Sequence, residues 1–178
     1  MIDPADRTRI VQQAYEDAVA FLSQPNVNSK RFCDPQTKAE EHARLPALNL
    51  FVANLTGATV VPFKKLPHPN FASWLFSVAP ENMAIYLDQR QMVVWQQQTG
   101  ATVQTQQIRS IAHELGHLRL APRLQNGPLA TFAPHATANE EENAWVYAMM
   151  FLALVLGDYC FSARQHPHNC DDTPKVQI

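Results

Sequence analysis

The sequence predicts an α+β domain in which helices at both ends of the chain enclose a small mixed or antiparallel sheet. Three observations carry that expectation. Apolar residues recur at helical spacing near the N-terminus and again beyond residue 105. Between them, three short runs rich in β-branched and aromatic residues are set apart by Pro and Asn. The whole chain, at 178 residues with 46% apolar and 17% charged side chains, has globular composition.

The elements follow in order. Asp3-Pro4 reads as a helix start, since Asp can cap and Pro is tolerated at the first helical position. Ile10, Ala14 and Phe21 then share a face, which gives an amphipathic helix over 4–23. Pro25 to Pro35 reads as a loop. A second helix is expected from Thr37 to Leu55, broken or bent at Pro46 and closed by Gly57. Residues 58–63 (ATVVPF), 73–78 (SWLFSV) and 83–87 (MAIYL) read as strands. Residues 89–107 hold eight Gln and suggest a solvated surface. Within them Met92-Val93-Val94-Trp95 fits a fourth strand or a helical turn equally well. A helix is expected over 105–120, ended by Pro122, then a Pro-rich loop over 121–136. A last helix is expected over 138–156, ended by Gly157-Asp158. The tail 162–178 reads as polar and mobile. Neither a repeat nor a linker stands out, so 1–178 is expected to be one domain with a helical part at 1–56.

Charge and cysteine content narrow the function classes. With 14 basic and 16 acidic residues the formal charge is −2, which gives no footprint for nucleic acid. The longest apolar run, Trp145 to Leu156, spans only about 18 Å as a helix, short of a bilayer. Acidic Asp3, Asp6, Glu16 and Asp17 disqualify the N-terminus as a signal peptide. Cys33, Cys160 and Cys170 fit neither a disulfide framework nor a zinc ribbon. A cytoplasmic protein with reduced thiols is the expectation.

The chemistry concentrates in His113-Glu114-Leu115-Gly116-His117, an H-E-x-x-H motif on an expected helix. Residues i and i+4 lie one turn apart on the same face, so both imidazoles can reach one metal ion. Glu114 stands beside them, placed to act as general base on metal-bound water. Ile108, Ile111, Ala112, Leu115 and Leu118 gather on the other side as a core face, leaving the ligand face to a cleft. Gly116 costs about 1 kcal/mol against Ala in a helix, which a close-packed metal helix would repay.

A catalytic zinc site ordinarily takes three protein ligands and a water. The extended motif with a third His is excluded, because Leu120 and Arg123 occupy its Gly and His positions. The third ligand is therefore sought in Glu140-Glu141-Glu142, which opens the last helix; a carboxylate there is the arrangement of Glu-type zincins. Thr137 and Glu140 also form a capping box, so part of the acidic run has a purely helical role. His135 is the rival third ligand. His42 and His68 read as ordinary residues without a ligand role, and His166, His168 and Cys170 as part of the tail.

These segments resemble the ImmA/IrrE-like family of bacterial and phage zinc-dependent regulatory proteases. The likeness lies in Ile111–Leu118 (IAHELGHL) and in Glu141-Glu142-Asn143-Ala144-Trp145-Val146-Tyr147-Ala148, set against the family's Glu-x-x-Ala-Asn-x-Phe-Ala. It spans about residues 80–155. Trp145 departs from the family's usual Asn or Asp, and Phe151-Leu152-Ala153-Leu154 replaces its Leu-Leu-x-Pro. The resemblance implies a zincin-like fold, with the sheet packed on the motif helix and a buried C-terminal helix. It implies a zinc ion (Zn2+) held by His113, His117 and Glu141, with Glu114 as the catalytic base that passes its proton to the leaving amine. It implies a metallopeptidase cleaving a protein partner such as a helix-turn-helix repressor, with His135 or Tyr147 assisting the oxyanion. Two other classes compete. One is a catalytically silent interaction protein that keeps the fold, which the Trp145 departure favours. The other is a zinc hydrolase of the deformylase type, whose Gly-Cys-Leu motif Phe32-Cys33-Asp34 does not match.

Overall fold

The computed structural model describes residues 4–33, 35–63, 73–77, 83–120 and 137–156. The chain is α+β. Helices α1 (Pro4–Leu22), α2 (Ser29–Cys33) and α3 (Lys38–Thr56) lead into β1 (Thr59–Phe63), β2 (Ser73–Ser77) and β3 (Met83–Asp88). Helices α4 (Gln89–Thr99), α5 (Val103–Leu120) and α6 (Ala138–Leu156) follow. The tail 162–178 and the loop 121–136 lie outside the described residues.

Local chemistry explains the boundaries. Thr37 and Glu40 form a reciprocal capping box at the start of α3, and Gly57 closes that helix at φ 75°, donating its N–H to the Ala53 carbonyl. Pro46 sits inside α3 on an exposed position, and the helix continues through it. The expected loop at 25–35 contains the single turn of α2, whose Phe32 is buried against Phe21 at a centroid distance of 4.9 Å. The ambiguous run at 92–95 is helical. Asp88 caps α4 by accepting from the Gln91 N–H at 2.9 Å, and Gly100 ends it at φ 72°. Four apolar residues are too few to show a period; the caps on either side decide it.

The sheet has the order β1-β3-β2. β1 runs parallel to β3 and β2 antiparallel to it, so the sheet is mixed. β3 is central, and Ala84, Ile85, Leu87 and Asp88 along it are buried. Pro62 falls on the edge strand β1, where its missing N–H costs no second ladder.

The core lies between α1, α5 and α6. Ile10, Ala14, Ala18 and Phe21 of α1 meet Tyr147, Phe151 and Leu152 of α6, with Ile108, Ile111 and Leu115 of α5 closing the third side. Phe21, Phe51 and Phe151 pack as aromatic neighbours 5.2–6.3 Å apart. One charge enters this stripe. Asp17 of α1 is buried, and its carboxylate accepts from Arg119 Nε at 2.7 Å, Arg119 Nη2 at 3.0 Å and the Tyr147 hydroxyl at 2.6 Å. Three helices are thereby tied at one point. Desolvation dictates the arrangement, since a buried carboxylate needs such partners.

Candidate metal centre

The i, i+4 spacing on α5 sets His113 and His117 one turn apart, with ring centroids at 4.7 Å and planes near perpendicular. Their Nε2 atoms approach to 3.1 Å. Glu141, in the first turn of α6, spans both: one oxygen lies 3.2 Å from His113 Nε2 and the other 3.3 Å from His117 Nε2. These three side chains form the one group of potential metal donors found among the described residues.

The donor set fits a small divalent cation. Bonds of 2.0–2.1 Å at tetrahedral angles separate neighbouring donor atoms by about 3.3–3.4 Å. The spacings of 3.1, 3.2 and 3.3 Å need only small adjustment to reach that value. Two nitrogens facing each other at hydrogen-bond distance beside a carboxylate also form a natural cation seat. Helix ends help. His117 lies in the last turn of α5, where the dipole favours positive charge, and Glu141 lies in the first turn of α6, where it favours negative charge.

Electrostatics follow from the same contacts. Burial pushes the His117 pKa down, but the hydrogen bond to Glu141 and the charges of Glu114 and Glu141 outweigh it and hold it above the ordinary value of 6.5. Burial pushes the Glu141 carboxyl up, yet the bonds from His113 and His117 dominate and hold it far below the usual carboxylate range. Glu140 is spent on the helix end instead: its carboxylate accepts from the Thr137 N–H at 2.7 Å, which lowers its pKa. Glu142 is not in the donor group.

What brings Glu141 to α5 is Gly116. A Cβ there would lie 2.8 Å from the Ala144 carbonyl oxygen and 3.0 Å from Ala144 Cα. Ala144 shares a face of α6 with Glu141, three residues earlier. The bare glycine therefore sets the gap across which the carboxylate reaches the imidazoles.

Glu114 is buried, and its Oε1 accepts a 2.6 Å hydrogen bond from the Ser73 hydroxyl on β2. Trp145 stacks on His113 with centroids 4.0 Å apart and planes at 27°. α5 is consequently covered on both sides. From Ser110 to Gly116 every residue is buried, whereas the sequence pattern suggests an open ligand face. The covering comes from α6 and β2, which the wheel of a single helix does not see.

Tyr147 does not take the oxyanion role. It stands six residues after Glu141, which turns it about 240° round the helix, and its hydroxyl donates to Asp17. Burial and the neighbouring Asp17 raise its pKa strongly. His42 is exposed on α3. His68, His135, His166, His168, Cys160 and Cys170 fall outside the described residues. Sequence reasoning misses Ser73 and the Asp17–Arg119–Tyr147 cluster. The second had a signal: Asp17 interrupts the apolar stripe Ile10, Ala14, Ala18, Phe21, and a charge on a buried face demands a partner. Ser73 had none, because its contact crosses 41 residues of chain.

No family model, curated protein or solved structure matches this chain.

Proposed function

We propose that this chain is a zinc-dependent metallopeptidase of the ImmA/IrrE-like kind, zincin-like in fold, that cleaves a specific segment of a protein partner such as a transcriptional repressor. The observation that carries the reading is the convergence of two imidazoles and one carboxylate from two helices, with donor atoms 3.1–3.3 Å apart. That donor set, two nitrogens and an oxygen, is the chemistry of a hydrolytic zinc site, which takes a water as fourth ligand.

His113, His117 and Glu141 would hold the ion. When bound, zinc polarises a peptide carbonyl and makes its water acidic enough to be deprotonated near neutral pH. Glu114 is the base that takes this proton and returns it to the leaving amine. Its burial and the Ser73 hydroxyl on Oε1 fix the carboxylate and leave Oε2 for that transfer.

The test is metal analysis joined to Glu114→Gln. The wild-type chain should carry one zinc, and the variant should keep it. New N-termini appearing in a cell lysate incubated with the wild-type protein should be missing with the variant. Retention of zinc with full biological effect in Glu114→Gln would instead indicate a silent interaction protein.

A further inference from the structure

Among the described residues, His113 lacks the usual support of a metal-ligating histidine. Such residues ordinarily donate their second ring nitrogen to a carboxylate, carbonyl or water, which fixes tautomer and ring orientation. His113 Nδ1 is buried and has no hydrogen-bond partner among the described residues. What the ring has instead is Trp145, stacked on its face at 4.0 Å and 27°. Trp145 follows Glu141 by four residues, so one face of α6 delivers both the carboxylate and the indole to His113.

We infer that Trp145 is a positioning residue: its indole face holds the plane of the His113 imidazole, and so aims Nε2 at a divalent cation, in place of the customary hydrogen bond. Two effects support the role. Rotation of the imidazole about its Cβ–Cγ bond would drive a ring edge into the indole. An imidazole made electron-poor by a bound cation also gains from the negative face of the indole. This inference rests on the metal reading of the same site.

The test compares Trp145→Leu, which keeps bulk without a π face, with Trp145→Phe, which keeps a ring. Zinc affinity is read by competition with a chromophoric chelator, coordination geometry by the visible bands of the Co(II)-substituted protein, and folding by urea unfolding of the metal-free protein. The Leu variant should unfold cooperatively, bind zinc at least about tenfold more weakly, in the range for outer-shell changes, and show altered Co(II) bands. The Phe variant should lie between it and the wild type, with bands close to the wild type. Should Leu fail to fold, Trp145→Met carries the same comparison. Equal zinc affinity and unchanged bands in the Leu variant overturn the inference, as does equal impairment of Phe and Leu. A wild-type chain that takes up no zinc overturns the metal reading and this inference with it.

Discussion

At the scale of single residues, the carboxylate of Glu141 is the part that turns a pair of histidines into a site. Glu141→Ala should lower zinc affinity by more than about a hundredfold, beyond the range of outer-shell changes; stoichiometric zinc in that variant, with loss in His135→Ala, would move the third ligand to His135. Protonation gives a second prediction. In the metal-free chain the raised pKa of His117 contributes stability that is complete below its ordinary 6.5 and is lost as pH climbs through the raised value. The lowered pKa of Glu141 contributes stability that is complete above 4.5 and is lost as pH falls through the lowered value. The pair therefore serves the metal-free protein best between 4.5 and 6.5. On the proposed ligand set zinc would take the place of the proton on His117, so the gap in Tm between zinc-loaded and metal-free protein should widen from pH 6 to pH 8. A constant gap, measured by differential scanning calorimetry, would contradict the ligand assignment. The spacing of His113, Glu114 and His117 was readable in the sequence because a helix repeats faithfully over one turn. Glu141 was not separable from its neighbours on physical grounds, since capping accounts for Glu140 alone; only the family-like register of Ala144 and Ala148 selected it.

At the scale of elements, the site depends on how near α6 comes to α5. Gly116 permits contact with the Ala144 backbone, and Tyr147 Cδ1 lies 3.2 Å from where a Cβ would sit. Gly116→Ala gains about 1 kcal/mol in helix propensity. It must also force two backbones apart, and overpacking of that kind costs about 1–3 kcal/mol. The net change in urea stability should be destabilising but modest, while zinc affinity falls sharply, because Glu141 rides on the helix that is displaced. A variant with unchanged zinc affinity would show that the gap between helices does not set the site. Helix α5 was foreseeable from period and motif, and α6 from its capping box and apolar body. Their separation was not. It depends on which glycine meets which alanine, and no property of either helix alone fixes that. The same applies to α4, whose four apolar residues left its type open until Asp88 and Gly100 were seen to cap it.

Across the whole molecule, the first helix is joined to the α5–α6 pair by Asp17, which contacts Arg119 over 102 residues of sequence and Tyr147 over 130. No periodicity argument reaches that far, although a carboxylate on an apolar stripe signals that some partner exists. The three groups are unequal. Asp17 is nearly enclosed, whereas Arg119 retains side-chain exposure of 22% and can turn to water when its partner is lost. Arg119→Ala leaves a buried carboxylate without its cation, held only by neutral donors, the Tyr147 hydroxyl and the Gln13 amide, and should cost about 3–5 kcal/mol. Asp17→Ala takes away the acceptor of the buried Tyr147 hydroxyl, a penalty of about 1–3 kcal/mol, and should be the milder change. Their combination should cost clearly less than the sum, because the second substitution removes the charge that the first had stranded. Urea unfolding of the two single variants and the double variant, all metal-free, gives the coupling directly. An additive result would mean that the carboxylate is neutral or solvated in the folded chain, and the tie between α1 and the α5–α6 pair would then be apolar packing alone.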